Sequence, residues 1–315
     1  MSEFKNVFIF VSDALHHEYM PEKIIEESES GLIKCLAPSL HSPQSFASIL
    51  TSLESYNHSI GGFFDNLEED TYMGFFKDSV FYDHEYSNVA NCLNIEPGTK
   101  ELNEVEPPFF FIERALETHE PYGKMGHGNE IPDHDEPHGD EYYAKYTDDE
   151  IQEKYQDSVD KMEEHFWRHV QELKDRGLYE DTLIVITADH GETLGQRIYG
   201  RKRYGHNSPP SKDVGQVPLV FLNADPNVDH MRSVDIIPTA FSLMGKANLL
   251  EVDGINVTTE GAPDEGVCMT PMRLFKLKWE WNGEDWEPSN IFKTLFEDLV
   301  YKRPVRELYD KVNPH

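Results

Sequence analysis

The 315-residue chain is poor in cysteine and in positive charge, and it has no long apolar run. Its 3 cysteines, Cys35, Cys92 and Cys268, are widely spaced and form no CxxC pair, which argues against a disulfide framework or a cysteine-built zinc site. No stretch approaches the roughly 18 apolar residues of a membrane-crossing helix. The opening MSEFKNVFIF reads as a strand, without the basic-then-apolar pattern of a signal segment, so a cytoplasmic location is expected. Cations are scarce, with 28 Lys+Arg against 59 Asp+Glu and a net charge of −31. Nucleic acid and anionic membranes are therefore poor candidates as partners, because phosphate contacts need clustered cations. An acidic surface of this kind suits a high-salt cytoplasm, where screening relieves self-repulsion.

What is present is a core. A hydrophobic share of 38%, with 18 Phe and 15 Tyr, suffices for one large α/β domain with a small appendage. Leu183–Ile186 runs without alternation, as a parallel strand buried on both faces does, and stops at Asp189-His190-Gly191-Glu192. Val7–Val11 is a second such run, ending at Ser12-Asp13. Phe109–Ala115 is a third, closing on Thr118-His119-Glu120-Pro121-Tyr122, and Val217–Leu222 is a fourth. Open α/β sheets bind ligands at the carboxyl ends of their strands. Taken singly, Asp13 reads equally as a turn residue, and His119 as a solvated loop histidine.

Between these strands, Pro43 with Phe46, Ile49, Leu50 and Leu53 predicts a helix with Ser42 at its N-cap. There Ser42 either only caps, or offers an oxygen polarised by the helix dipole in a field that also attracts an anion. Ser79–Tyr82 and Asn88–Leu93 are expected as edge strands, and His16-His17 as a surface pair. Gly123–Tyr142 is expected to be a solvated lid, in which His134 and His138 have ligand spacing only if helical, against the prolines. Thr147-Asp148-Asp149-Glu150 is a capping box for a long amphipathic helix carrying Tyr155, Val159, Met162, Phe166, Val170 and Leu173, with Gly177 ending it. Arg201-Lys202-Arg203, conspicuous in so acidic a chain, is either a solvated turn or an anion clamp. Ser233–Met244 is predicted helical with Ser233 as N-cap. From about residue 264 the chain is expected to form a hairpin, turning at Asn282-Gly283, and a helix over Asn290–Val300. The expected division is thus 1–263 for the catalytic unit and 264–315 for a small C-terminal one.

Asp13, Ser42, Asp189 and His190 are strand-end or helix-start groups suited to one divalent cation, with the Ser42 oxygen as both ligand and nucleophile. A bound divalent ion lowers the pKa of coordinated water by roughly eight units and should activate a hydroxyl in the same sense. At this point the chain resembles the sulfatase and alkaline-phosphatase superfamily. The resemblance rests on Asp13, SFASILTS at 45–52 with His58, THEPY at 118–122, YEDTLIVITADHGETLG at 179–195, VPLVF at 217–221, VDIIPT at 234–239 and DGI at 253–255, with an ELYD echo at 307–310. It implies a mostly parallel sheet sandwiched by helices, and a metal-dependent hydrolase acting on a small anionic phosphate or sulfate ester, a phosphodiester included. It further implies that Ser42 is the nucleophile and that Asp13, Ser42, Asp189 and His190 hold the metal. His119, Lys202 and His206 would position the anion or protonate the leaving oxygen, with Arg201 and Arg203 alongside.

The departures from the pattern shape the expectation. Ser42-Pro43-Gln44-Ser45-Phe46 lacks the proline and arginine of the C/S-x-P-x-R formylglycine motif, so an unmodified Ser42 is expected. A seryl sulfate has no hemiacetal route of elimination, which favours phosphate over sulfate esters. The usual Asp-Asp pair is Asp13-Ala14 here, and His190 stands where sulfatases have asparagine. The imidazole favours manganese or zinc over calcium. A metal- or anion-binding member without turnover is the competing class, and all four site residues being present argues against it.

Overall fold

In a computed structural model the described residues are 4–83, 88–96, 98, 100–123, 137–198, 200–207, 210–248, 250–270 and 276–288. The chain runs β1 (Asn6–Ser12), α1 (Glu22–Glu26), β2 (Ile33–Leu36), α2 (Ser42–Thr51), β3 (Asp78–Tyr82), α3 (Asn88–Cys92), β4 (Phe109–Ala115), α4 (Asp140–Lys145) and α5 (Asp148–Asp175). It continues with β5 (Thr182–Thr187), β6 (Thr193–Ile198), β7 (Arg201–Gly205), α6 (Lys212–Gly215), β8 (Gln216–Phe221), β9 (His230–Arg232), α7 (Ile236–Leu243), α8 (Val257–Glu260), β10 (Glu265–Met269), β11 (Lys276–Trp281) and β12 (Trp286–Pro288).

Among the described residues, seven strands form one sheet in the order β3-β4-β1-β5-β8-β2-β9. β1 pairs in parallel with β4 and β5, and β8 is the antiparallel member between β5 and β2. Every residue of β1, β4, β5 and β8 is buried, which is why these runs read as unbroken apolar stretches rather than alternating ones. The mostly parallel α/β sandwich is as the sequence implied.

The capping box of α5 is present: Thr147 Oγ1 accepts from the Glu150 amide, and the Thr147 amide donates to Glu150 Oε2 at 2.8 Å. At its other end the Leu178 amide donates to the Leu173 carbonyl at 2.8 Å and the Gly177 amide to the Lys174 carbonyl at 3.0 Å. This is a Schellman closure, and it needs the left-handed φ of +66° that Gly177 adopts. Between the caps, Tyr155, Val159, Met162, Phe166, Val170 and Leu173 face the sheet.

Several local expectations are corrected. Asn88–Cys92 is helical, because Asp83 Oδ2 accepts from the Val89 and Ala90 amides at 3.0 and 2.9 Å and so caps a helix from a distance. His16 and His17 are buried rather than a surface pair; their rings stack at 4.4 Å, and His16 Nε2 faces Asp213 Oδ1 at 3.4 Å. Ser42 is the first helical residue of α2, and the extended His41 is its N-cap. Ser233 likewise opens a 3₁₀ turn capped by Arg232. The hairpin of β11 and β12 pairs Trp281 with Trp286, so its loop is residues 282–285, closed by Asn282 Oδ1 on the Glu284 and Asp285 amides.

β10, β11 and β12 form a separate antiparallel sheet, seated against the main body by Trp279 and Trp286 packing with Leu36, Leu40 and Val214. Asp285 ties it down, accepting from Lys34, Lys212 and Gln216. The His134 position, most of the expected lid, the Asn290–Val300 helix and the ELYD segment lie outside the described residues. Cys35, Cys92 and Cys268 are free and buried. Among the described residues, no helix is long and apolar enough to cross a membrane.

Candidate active site

β1 and β5 lie side by side, and their carboxyl ends bring Asp13 and Asp189 together. The chain turns tightly just after β1. Ala14 adopts φ +63°, a conformation rare outside glycine, and its amide donates to Asp189 Oδ1 at 3.1 Å. The loop after β4 is stapled to the end of β1, with Thr118 Oγ1 donating to the Asp13 carbonyl at 2.6 Å. Gly191 has a physical reason to be glycine: a Cβ there would lie 2.1 Å from the Asp213 carbonyl oxygen. That close approach lets His190 turn inward.

Ser42 arrives from the N-terminus of α2. Its Oγ lies 3.4 Å from Asp13 Oδ2 and 3.3 Å from His190 Nε2. His190 Nδ1 faces the Gly191 carbonyl at 3.1 Å, so Nδ1 carries the hydrogen and Nε2 presents its lone pair to Ser42, Asp13 and Asp189. Burial and the neighbouring His206 hold the His190 imidazole well below its ordinary range, as a neutral ligand requires.

The two carboxylates differ. Burial alone would raise the Asp13 carboxyl, but Arg114 and the surrounding imidazoles override it and hold it well below the usual carboxylate range. Arg114 donates from Nε to Asp13 Oδ2 at 2.7 Å and from Nη1 to Asp83 Oδ1 at 3.1 Å. Asp189 is pushed up to about 7 by burial and by the Asp13 charge.

Among the described residues, Asp13 Oδ1 and Asp189 Oδ2 are buried with no hydrogen-bond partner. Both face His190 Nε2, at 3.8 and 3.5 Å. Two orphaned carboxylate oxygens and an imidazole lone pair converging in a closed space fit a divalent cation.

A second tier surrounds this centre. His206 packs on His190 with ring centroids 4.3 Å apart and on His119 at 5.4 Å. Burial works against protonation of His206, yet Glu192, Asp13 and Asp189 together raise it to about 9. Glu192 Oε2 faces its Nδ1 at 3.5 Å. His119 Nδ1 donates to the Glu120 carbonyl at 2.6 Å, and burial holds this imidazole below its ordinary range.

The structure thus brings together Asp13, Ser42, Asp189, His190, His119 and His206. It sets Lys202 against Asp148 at the start of α5, with Arg201 exposed and Arg203 half-buried on the same β6–β7 hairpin. Three participants were not singled out from sequence: Arg114, His41 and Glu192. Arg114 had a signal, since Glu113-Arg114 puts two charges inside the apolar run FFFIERA. Glu192 stood in the DHGE turn. His41, half-buried beside Phe63 at the cap of α2, had none.

A serine at a helix start beside a buried carboxylate-imidazole cluster, at the strand ends of a mostly parallel sheet, accompanies a family match. The sulfatase family model matches residues 78–246, more than half of the chain. The chain belongs to the sulfatase family, a family of ester hydrolases.

It is 32% identical over 283 residues to the low-salt glycan biosynthesis sulfotransferase of Haloferax volcanii, covering 84% of this chain and 66% of that protein. Over 140 residues it is 26% identical to a multifunctional alkaline phosphatase superfamily protein of Trinickia caryophylli, covering 42% of this chain and 23% of the relative. The fold is similar to that of a solved 2-O glycosaminoglycan sulfatase, with TM-score 0.64, 15% identity, and 98% and 92% of the two chains covered. It is also similar to a phosphonate monoester hydrolase of Agrobacterium radiobacter, with TM-score 0.61, 14% identity, and 90% and 88% covered.

Proposed function

We infer that the protein is a metal-dependent enzyme that cleaves a sulfate or phosphate ester through Ser42. The observation that carries this reading is the placement of Ser42 Oγ at 3.3–3.4 Å from both His190 Nε2 and Asp13 Oδ2, beside two orphaned carboxylate oxygens. Asp13, Asp189 and His190, with Ser42 beside them, would hold a divalent cation, which would supply Lewis acidity to make the Ser42 hydroxyl more acidic and to offset charge on the ester oxygens.

The chain's own residues do the rest. Ser42 sits at the positive end of α2, a field that draws in an anionic ester. Arg114 keeps Asp13 ionised and fixed. Ser42 loses its hydroxyl proton to solvent as its Oγ forms a bond to sulfur or phosphorus, the bond to the leaving alcohol oxygen breaks, and that oxygen takes a proton. His206, raised towards its cationic form and held by Glu192, is placed to give it, with His119 beside it. Water then attacks the seryl ester and returns a proton to His206, while Ser42 Oγ leaves, takes a proton from solvent, and the inorganic anion is released.

The residues and the relative favour different groups. Absence of a formylglycine motif around Ser42 favours phosphoryl, whereas the sulfotransferase named above favours sulfuryl and a sugar hydroxyl in place of water. One experiment separates these readings: turnover of nitrophenyl phosphate, a bis-ester and nitrophenyl sulfate with added manganese or zinc, with and without a sugar acceptor. Failure on all of them, or equal turnover by Ser42→Ala, overturns the Ser42 reading. Intact-peptide mass across residues 34–70 tests whether Ser42 is unmodified.

A further inference from the structure

The opposite face of β4 carries a second buried cluster that the proposed reaction does not use. Alternation along the strand sends Arg114 to the active site and its neighbour Glu113 to α5. There Glu113 meets His165 and His169, which lie one helical turn apart on one face of α5. His165 Nε2 is 3.1 Å from Glu113 Oε1, His169 Nε2 is 2.8 Å from Glu113 Oε2, and the two Nε2 atoms are 3.0 Å apart. All three residues are buried, beneath the rings of Phe8, Phe10 and Phe111.

The outer nitrogens have partners of their own. His165 Nδ1 faces Glu117 Oε1 at 2.8 Å, and His169 Nδ1 faces Glu172 Oε2 at 3.0 Å. A carboxylate on Nδ1 holds a hydrogen there and turns Nε2 inward, the arrangement that orients histidine ligands on metals. Without an ion the carboxylates also hold both imidazoles towards their cationic form, so a bound ion takes the place of the Nε2 protons. Two inward nitrogens and a carboxylate then face one another. An ion bound at roughly 2.0–2.1 Å sets tetrahedral donors about 3.3 Å apart, so the two Nε2 atoms, 3.0 Å apart, would need to separate by only a few tenths of an ångström, with a Glu113 oxygen already beside each of them. Three carboxylates against two imidazoles leave a charge that a low-dielectric site compensates with a cation.

We propose that Glu113, His165 and His169 form a second metal site, which takes a divalent cation of the zinc class and ties α5 to β4. Two imidazoles with one carboxylate are a borderline-soft donor set, better suited to zinc than to calcium or magnesium. Its role is structural, because the residues touch neither Ser42 nor the cluster around it.

The test separates this site from the active site. Protein carrying Asp13→Asn and Asp189→Asn is stripped with chelator, reloaded with zinc alone, desalted and analysed for metal. One zinc per chain is expected, with zinc X-ray absorption showing two imidazole ligands. Adding Glu117→Gln should weaken this binding roughly 10- to 100-fold while the donors stay in place. Adding His169→Gln should abolish it. Should that last variant fail to fold, the stoichiometry and the absorption spectrum decide alone. No retained zinc, a spectrum without two imidazoles, or binding unchanged by Glu117→Gln would overturn the site.

Discussion

Two buried ionic clusters lie on opposite faces of the same strand, and they are built on different principles. In the cluster around Ser42, one guanidinium, Arg114, compensates Asp13 and Asp83, and two carboxylate oxygens are still left without partners. In the cluster under α5, each histidine lies between two carboxylates, at 2.8–3.1 Å on every side. The first draws its donors from two strand ends and a helix start, far apart in sequence. The second takes both imidazoles from one helix. The lesson is that an under-compensated, multi-element cluster at the strand ends is poised for a ligand and for chemistry, whereas a closed cluster between a helix and a strand holds elements together.

The largest effect that would break this comparison is chemical. Ser42→Ala should lower kcat/KM on the best ester by on the order of 10⁴-fold or more while leaving the thermal midpoint within about a degree or two, since one buried hydroxyl is removed. A comparable fall in activity from Glu117→Gln, on the other face, would mean that the two clusters are not separate.

Next comes the shared counter-ion. Arg114→Met leaves Asp13 and Asp83 buried without their cation, and should cost about 3–5 kcal/mol in urea unfolding. Added manganese or zinc should restore part of it, because a cation on Asp13 replaces some of the lost charge. Absence of any metal-dependent recovery would argue against a cation site at Asp13.

Smaller is the helix that carries the second cluster. Thr147→Ala removes the cap of α5 and should cost about 1 kcal/mol without changing the metal content of either site. Loss of metal in that variant would show the α5 cluster to depend on helix register.

Smallest is the seat of the C-terminal sheet. Burial would raise the Asp285 carboxyl, but Lys34, Gln216 and Lys212 lower it to about 2. Its folded value is below its ordinary 3.8, so its contribution is present above that value and is lost as the pH falls through about 2. Asp285→Asn should therefore lower stability at pH 7 by at most about 1 kcal/mol, given partial exposure and solvent screening. The mutant and the parent should converge in acid. A difference that persists at pH 2 would place the effect in packing instead of charge.

Much of this architecture was legible in the residues. β1, β4, β5 and β8 were readable because burial on both faces leaves a continuous apolar run, and α5 because its caps are local signals at both ends. The positions of Asp13, Asp189, His190 and His119 were legible because a polar group just after such a run lies at a strand end; Ser42 was legible as a helix start, and His206 only through the family resemblance. What was misread depended on distant atoms. Asn88–Cys92 is a helix because Asp83 caps it. His16 and His17 are buried because Asp213 and α5, through Tyr155, close over them. Lys202 pairs with Asp148, a partner 54 residues away.

The sequence by itself determined the elements and the ends at which chemistry can sit, since periodicity, caps and strand termini are properties of neighbouring residues. Only the tertiary structure decided which charges meet. Glu113 and Arg114 are adjacent in the chain and equally conspicuous in an apolar strand, yet one completes a cluster under α5 and the other binds Asp13 in the cluster around Ser42. That division follows from the pleat of β4 and from what packs on each of its faces, and neither is written in the strand itself.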